Sequence, residues 1–138
     1  MKVLIMLLSL VYTLFAISSV DVAFVLGFHE DYLTSLAQAN KEKKLLMLVI
    51  IKDPCRYSEN MVYKTLSDPK VAEALKDFVP VIVDKDAILP SAFKVDLVPM
   101  IYFIDPKNEQ GVGERMEYVS TEQFLADIKD ALILYKQK

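Results

Sequence analysis

One thiol is available for chemistry in this chain: Cys55, in the stretch Asp53-Pro54-Cys55-Arg56-Tyr57-Ser58-Glu59-Asn60-Met61. It falls where an apolar, strand-like run gives way to a helix-like pattern. A sulfur at such a junction feels the positive end of a helix, which favours the nucleophilic thiolate over the thiol. A Cys-x-x-Cys pair here would read as a redox motif, but Ser58 stands where the second cysteine would be. The attacking position is therefore present and the resolving one is absent. A thiolate that attacks a disulfide becomes part of a mixed disulfide, and release needs a second thiol. That thiol must come from the substrate, from glutathione or from another protein. Such a site suits isomerisation, in which the substrate supplies the resolving thiol, or capture of a partner as a long-lived mixed disulfide. Arg56 adds positive potential beside the sulfur, the Ser58 hydroxyl is placed to donate to it, and Tyr57 is a candidate for substrate recognition. The alternatives are plain ones: a buried hydrophobe for Cys55, a first-turn helix residue for Ser58 and an exposed helix tyrosine for Tyr57. Polar neighbours on both sides favour the reactive reading of Cys55.

Other chemistries find little support. His29 is the only histidine, so it suggests no metal site by itself. Met47, Met61, Met100 and Met116 could join Cys55 as soft ligands for Cu(I), but methionines within apolar runs fill core space. No Ser/His/Asp set, paired-carboxylate motif or glycine-rich phosphate loop stands out, and Gly27, Gly111 and Gly113 are the only glycines. We expect no metal and no cofactor. The formal charge of −3 argues against nucleic acid as a partner.

The first 15 residues hold one charge, Lys2, and are followed by Ala16-Ile17-Ser18 with small residues at both flanking positions. Residues 1–18 read as a secretory signal peptide. The run is shorter than the roughly 20 residues of a membrane-spanning helix. Because residues 22–28 resume the apolar character after Asp21, an uncleaved membrane anchor is the alternative. Without residues 1–18 the chain has 15 basic and 19 acidic side chains and a net charge of −4. In an exported protein one cysteine cannot form an internal disulfide, so Cys55 is either a free reactive thiol in a monomer or the link of a dimer.

The elements around Cys55 follow from periodicity. Residues 30–40 carry a helical stripe of Leu33, Leu36, Ala37 and Asn40, and 45–51 form an apolar run that suits a strand buried on both faces. A helix starts at the cysteine motif, with Asp53-Pro54 as cap and first-turn proline and with Met61, Val62, Thr65 and Leu66 recurring at helical spacing. Ser67-Asp68-Pro69-Lys70 restarts the pattern, with Val71, Ala74, Leu75 and Phe78 on the apolar side. Strands are expected over 79–84, 100–105 and 115–119, a brief helix over 88–95 and a turn over 106–111. A last helix from Thr121 has Phe124, Leu125, Ile128, Leu132 and Tyr135 on its core stripe.

This order of elements resembles the thioredoxin fold. Cys55-x-x-Ser58-x-x-Met61, Leu66-Ser67-Asp68-Pro69-x-Val71, Phe78-Val79-Pro80-Val81 and Asp105-Pro106-Lys107 are similar to exported thioredoxin-like proteins. The resemblance covers residues 24–136 as one domain. It implies an α/β, thioredoxin-like three-layer fold, a central mixed β-sheet flanked by helices. It further implies that Cys55 is the nucleophile, that Ser58 holds the resolving position, that Pro99 is a cis-proline beside the site, and that the backbone of Val98 pairs with a bound strand. Three departures narrow the chemistry: Ser58 itself, Asp53-Pro54 in place of a tryptophan-containing approach, and Val49 where thioredoxins often bury an acid. Efficient general disulfide reduction is not expected. The resemblance and the signal segment together imply the bacterial periplasm and partners that carry protein thiols or disulfides. The reading from a different class is a non-catalytic module that binds an extended peptide or partner protein and in which Cys55 is incidental.

Overall fold

Leu45–Ile51 is seven apolar residues in a row, and all seven are buried. An apolar run without alternation is what a strand covered on both faces requires. This strand, β1, is the centre of the molecule in the computed structural model, which describes residues 18–138. The sheet order is β2-β1-β3-β4, with β2 (Phe78–Asp84) parallel to β1, β3 (Met100–Asp105) antiparallel to β1, and β4 (Gln110–Met116) antiparallel to β3. Odd-numbered residues of β1 (Leu45, Met47, Val49, Ile51) pack under α1 (Ser19–Leu26), α4 (Pro69–Ala74) and α5 (Thr121–Lys136). Even-numbered residues (Leu46, Leu48, Ile50) face α2 (Tyr32–Glu42) and the 88–98 loop. Helices on both faces of a mixed four-stranded sheet give the expected α/β three-layer architecture.

β2 is an edge strand, and its proline depends on that. His29 donates its amide to the Pro80 carbonyl at 2.9 Å and accepts from the Ile82 amide at 2.9 Å along the outer edge. The missing N–H of Pro80 therefore faces away from β1 and costs no ladder bond.

Several elements differ from expectation. Ser19–Leu26 is a helix, capped by Ser18 and closed by Gly27 in the left-handed conformation, and its Val22 and Ala23 belong to the core. Packed structure thus begins ahead of residue 24. The signal-peptide reading of residues 1–18 lies, apart from Ser18, outside the described residues. The α2 stripe is shifted by one: Tyr32, Ser35 and Ala39 are buried, whereas Leu33 is 70% exposed. Tyr32 sets that rotation, because its ring packs against Phe93 and its hydroxyl reaches Glu109 at 2.9 Å. Phe78 opens β2 rather than ending a helix, since Leu75–Asp77 tightens into a 3₁₀ turn that stops α4.

Residues 88–95 form no helix. Pro90 and Phe93 close a single turn, and the Lys94 carbonyl is taken by the Tyr102 hydroxyl instead of by a helical amide. The last strand begins at Gln110, not at 115. Gly111, which closes the expected turn, and Gly113, which falls between that turn and the expected strand, lie in β4 at a bulge opposite Phe103 and Ile104. A Cβ on Gly113 would stand 3.3 Å from the Phe103 ring, so the strand needs glycine there for close packing rather than for a turn.

Candidate functional site

The site is built where β1 ends. The Lys52 amide donates to the Ser58 hydroxyl at 3.4 Å, which turns the chain out of the sheet. Ile50 pairs with Met100 across β1 and β3. Continuing that register sets Ile51 opposite Pro99 and Lys52 opposite Val98, so the approach to Cys55 and the Val98-Pro99 dipeptide share one end of the sheet. Both Asp53–Pro54 and Val98–Pro99 are cis peptide bonds.

Asp53-Pro54 is not the helix cap. Cys55 is itself the N-cap residue, extended at φ −152° and ψ 114°, and α3 runs from Arg56 to Asn60. The first helical bond joins the Glu59 amide to the Cys55 carbonyl at 3.0 Å. The helix then widens to a π-helical stretch over Met61–Leu66, whose Met61, Val62, Thr65 and Leu66 are buried as the spacing predicts. Thr65 ties that stretch to the start of α5 by donating to the Val119 carbonyl at 2.6 Å. Short π-helical segments concentrate near functional sites, and this one follows the motif directly.

Cys55 is half-buried and free. Desolvation pushes its pKa up, but the hydroxyl and amide of Ser58 and the amide of Tyr57 outweigh that against a small opposition from Glu59, and the net shift is downward. These groups stabilise the negative sulfur by hydrogen bonding, the ordinary route to a reactive thiol. Ser58 is 2% exposed, and its hydroxyl accepts from the Lys52 amide.

Pro99 is buried and its carbonyl accepts from the Glu117 amide at 2.9 Å, which fixes it to the end of β4. Val98 is half-buried, and among the described residues neither its amide nor its carbonyl has a backbone partner. Arg56 and Tyr57 are exposed on the first turn of α3, Tyr57 to 62%. Two apolar residues that periodicity gave no reason to single out lie on the loops between β2 and β3: Ile88, 99% exposed, and Leu97, 47% exposed. A large apolar side chain in a loop, with no element to bury it, was the available signal. The four methionines form no single cluster: Met47 and Met61 pack on one face of the sheet, Met100 on the other, and Met116 is 42% exposed at the end of β4. Val49 is fully buried in β1. The site therefore offers one half-exposed thiol with a lowered pKa, an open backbone segment at the same end of the sheet and no second cysteine to resolve an adduct.

A family model described as thioredoxin-like matches residues 28–106. A search of curated proteins finds no significant match. Among solved structures, the solution structure of a thioredoxin from Thermus thermophilus is 25% identical, with a TM-score of 0.69 over 77% of this chain and 87% of that one. The oxidised C-terminal domain of DsbD from Neisseria meningitidis is 16% identical, with a TM-score of 0.57 over 72% of this chain and 94% of the domain. A structure titled DsbH oxidoreductase is 19% identical, with a TM-score of 0.60 over 77% of this chain and 84% of that one. The matched span runs from the residue that leads into the β2 edge to the end of β3, taking in Cys55 and Pro99, and on that ground the chain belongs to the thioredoxin-like family.

Proposed function

We propose that the protein exchanges thiols and disulfides with protein partners through Cys55 alone. The observation that carries this is the half-exposed Cys55 sulfur, whose thiolate is favoured by Ser58 and Tyr57. The thiolate attacks one sulfur of a partner disulfide; the new S–S bond forms as the old one breaks, and the partner's other sulfur leaves as a thiolate and takes up a proton. Ser58 has no sulfur, so a second partner thiolate attacks the mixed disulfide, makes a new disulfide within the partner and returns Cys55 as thiolate. The cycle is an isomerisation with no net electron transfer. Glutathione can release the adduct in the same way. Val98 offers its backbone to an extended segment of the partner, Pro99 backs that segment, and Arg56 and Tyr57 flank it. Residues 1–18 direct export, and the bacterial periplasm supplies partners with disulfides.

Purified protein should accelerate recovery of a scrambled disulfide substrate, and Cys55→Ala should not. Trapping of mixed disulfides should likewise vanish in Cys55→Ala. If the wild-type chain neither isomerises nor traps, the redox reading is wrong. The second reading, a module that binds an extended peptide, is favoured by the open backbone of Val98 and by the exposed Tyr57 and Leu97, since none of these needs sulfur. It requires partner binding to survive in Cys55→Ala. A Cys55-linked dimer would run at twice the monomer mass on a non-reducing gel and collapse on reduction.

A further inference from the structure

The outer face of α1 does not belong in water. Val22 and Ala23 point into the core and Leu26 packs against it, which leaves Val20, Asp21, Phe24 and Val25 outward. Three of those four are large and apolar, and they are exposed to 56%, 89% and 78% for Val20, Phe24 and Val25. A helix that is apolar on all sides is buried in protein or in lipid, and α1 is covered on one side only. The helix is also no loose leader. Ser18 caps it by accepting from the Asp21 amide at 3.1 Å, Gly27 closes it, and the next residues run along β2.

We propose that this face rests on a lipid bilayer, with Val20, Phe24 and Val25 inserted at the level of the headgroup–acyl boundary. In the chain that keeps residues 1–18 as an anchor, residues 3–20 carry no charged side chain and that run ends inside the first turn of α1, so the most apolar part of the sequence is continuous with the exposed face. A second copy of the chain is the poorer occupant. An eight-residue helix is about 12 Å long, and a stable interface takes about 800 Å² from each partner, more than three side chains supply. A bilayer has no such threshold, because an interfacial helix binds in proportion to the apolar area it buries. The electrostatics specify the lipid. α1 carries Asp21 and no basic residue, so insertion depends on apolar contact and gains nothing from anionic headgroups. This inference is independent of Cys55 and of any thiol chemistry.

The chain contains no tryptophan, so a single one reports its own surroundings. The test uses the purified full chain as Phe24→Trp, with and without phosphatidylcholine vesicles. Leu33→Trp serves as the control, because Leu33 is 70% exposed on α2, on the opposite face of the sheet. Both sites are exposed, and matching circular dichroism melts will show that both variants fold. With vesicles, Phe24→Trp emission should shift to the blue and be quenched by lipids brominated near the headgroup, while Leu33→Trp should stay at its water-exposed wavelength. Failure of the chain to bind vesicles overturns the proposal, as does a bound chain whose Phe24→Trp emission does not move. Equal shifts at both positions, or a Phe24→Trp emission already blue in buffer, also overturn it; the latter would assign the face to a protein cover.

Discussion

The two ends of the sheet are built on opposite rules. At the end where β3 turns into β4, bonds between residues far apart in sequence lock the surface. Tyr32 donates to Glu109 and the Asn40 side chain donates to the Pro106 carbonyl, each at 2.9 Å, and the Lys138 ammonium lies 3.8 Å from the buried Asp105 carboxylate. At the end where β1 gives way to Cys55, the side-chain bond at the motif itself, Lys52 to Ser58, is local, the helix is five residues long before it widens, and among the described residues Val98 has no backbone partner. The first arrangement holds a fold together, and the second leaves polar groups and a sulfur free for another molecule. Stability and chemistry should therefore separate when each end is changed.

The largest effect is expected at the locked end. Gly113→Ala would put a Cβ 3.3 Å from the Phe103 ring, which would have to give toward Phe78 and Phe124, its ring neighbours at centroid distances of 5.7 and 6.1 Å. Overpacking of this kind costs about 1–3 kcal/mol. Urea unfolding should show that loss while the thiol-reagent reactivity of folded Cys55 stays at the wild-type rate; a slowed thiol would mean the two ends are coupled. Tyr32→Phe comes next. It removes the hydroxyl that reaches Glu109, a carboxylate in a partly buried setting, and should cost about 0.5–1.5 kcal/mol in the same assay with Cys55 again unaffected. Burial and Glu109 both hold the Tyr32 hydroxyl well above the usual tyrosine range, so the bond persists to high pH. At the open end the ranking reverses: Cys55→Ala should abolish reaction with thiol reagents yet move stability by no more than about 0.5 kcal/mol, as expected for a half-exposed residue outside the core clusters.

The same contrast explains what could be read before the structure. β1 and β3 were legible because strands buried on both faces write continuous apolar runs, and the last helix was legible because Phe124 and Ile128 repeat at helical spacing. Cys55 was legible because it punctuates one such run. The locked end was not, since Tyr32 and Glu109 lie 77 residues apart and no local pattern links them. β4 was misplaced because Gly113 yields to the Phe103 ring, a demand that comes from across the sheet. α1 was hidden for the opposite reason: its apolar outer face merges with the run that precedes it, so no periodicity marks where a leader would stop and a core helix start.

Ser58→Ala should produce the smallest change and the most specific one. The Ser58 hydroxyl is among the groups that outweigh desolvation at Cys55, so its removal should move the pH at which iodoacetamide reactivity inflects upward, toward that of an ordinary cysteine. The effect on stability has a fixed sign. A thiol whose folded pKa lies below its unfolded value holds its proton less well when folded, so its contribution is complete above the unfolded pKa and is lost as pH falls through the folded one. Ser58→Ala should shrink that contribution at alkaline pH and leave acid stability lower only by the cost of the Lys52 amide losing its partner. A reactivity profile that does not move would mean that the amides of Ser58 and Tyr57 hold the thiolate without the hydroxyl. Position 58 would then serve Lys52 alone, and the serine that stands where a resolving cysteine could be would act as a bracket for the backbone rather than a partner of the sulfur.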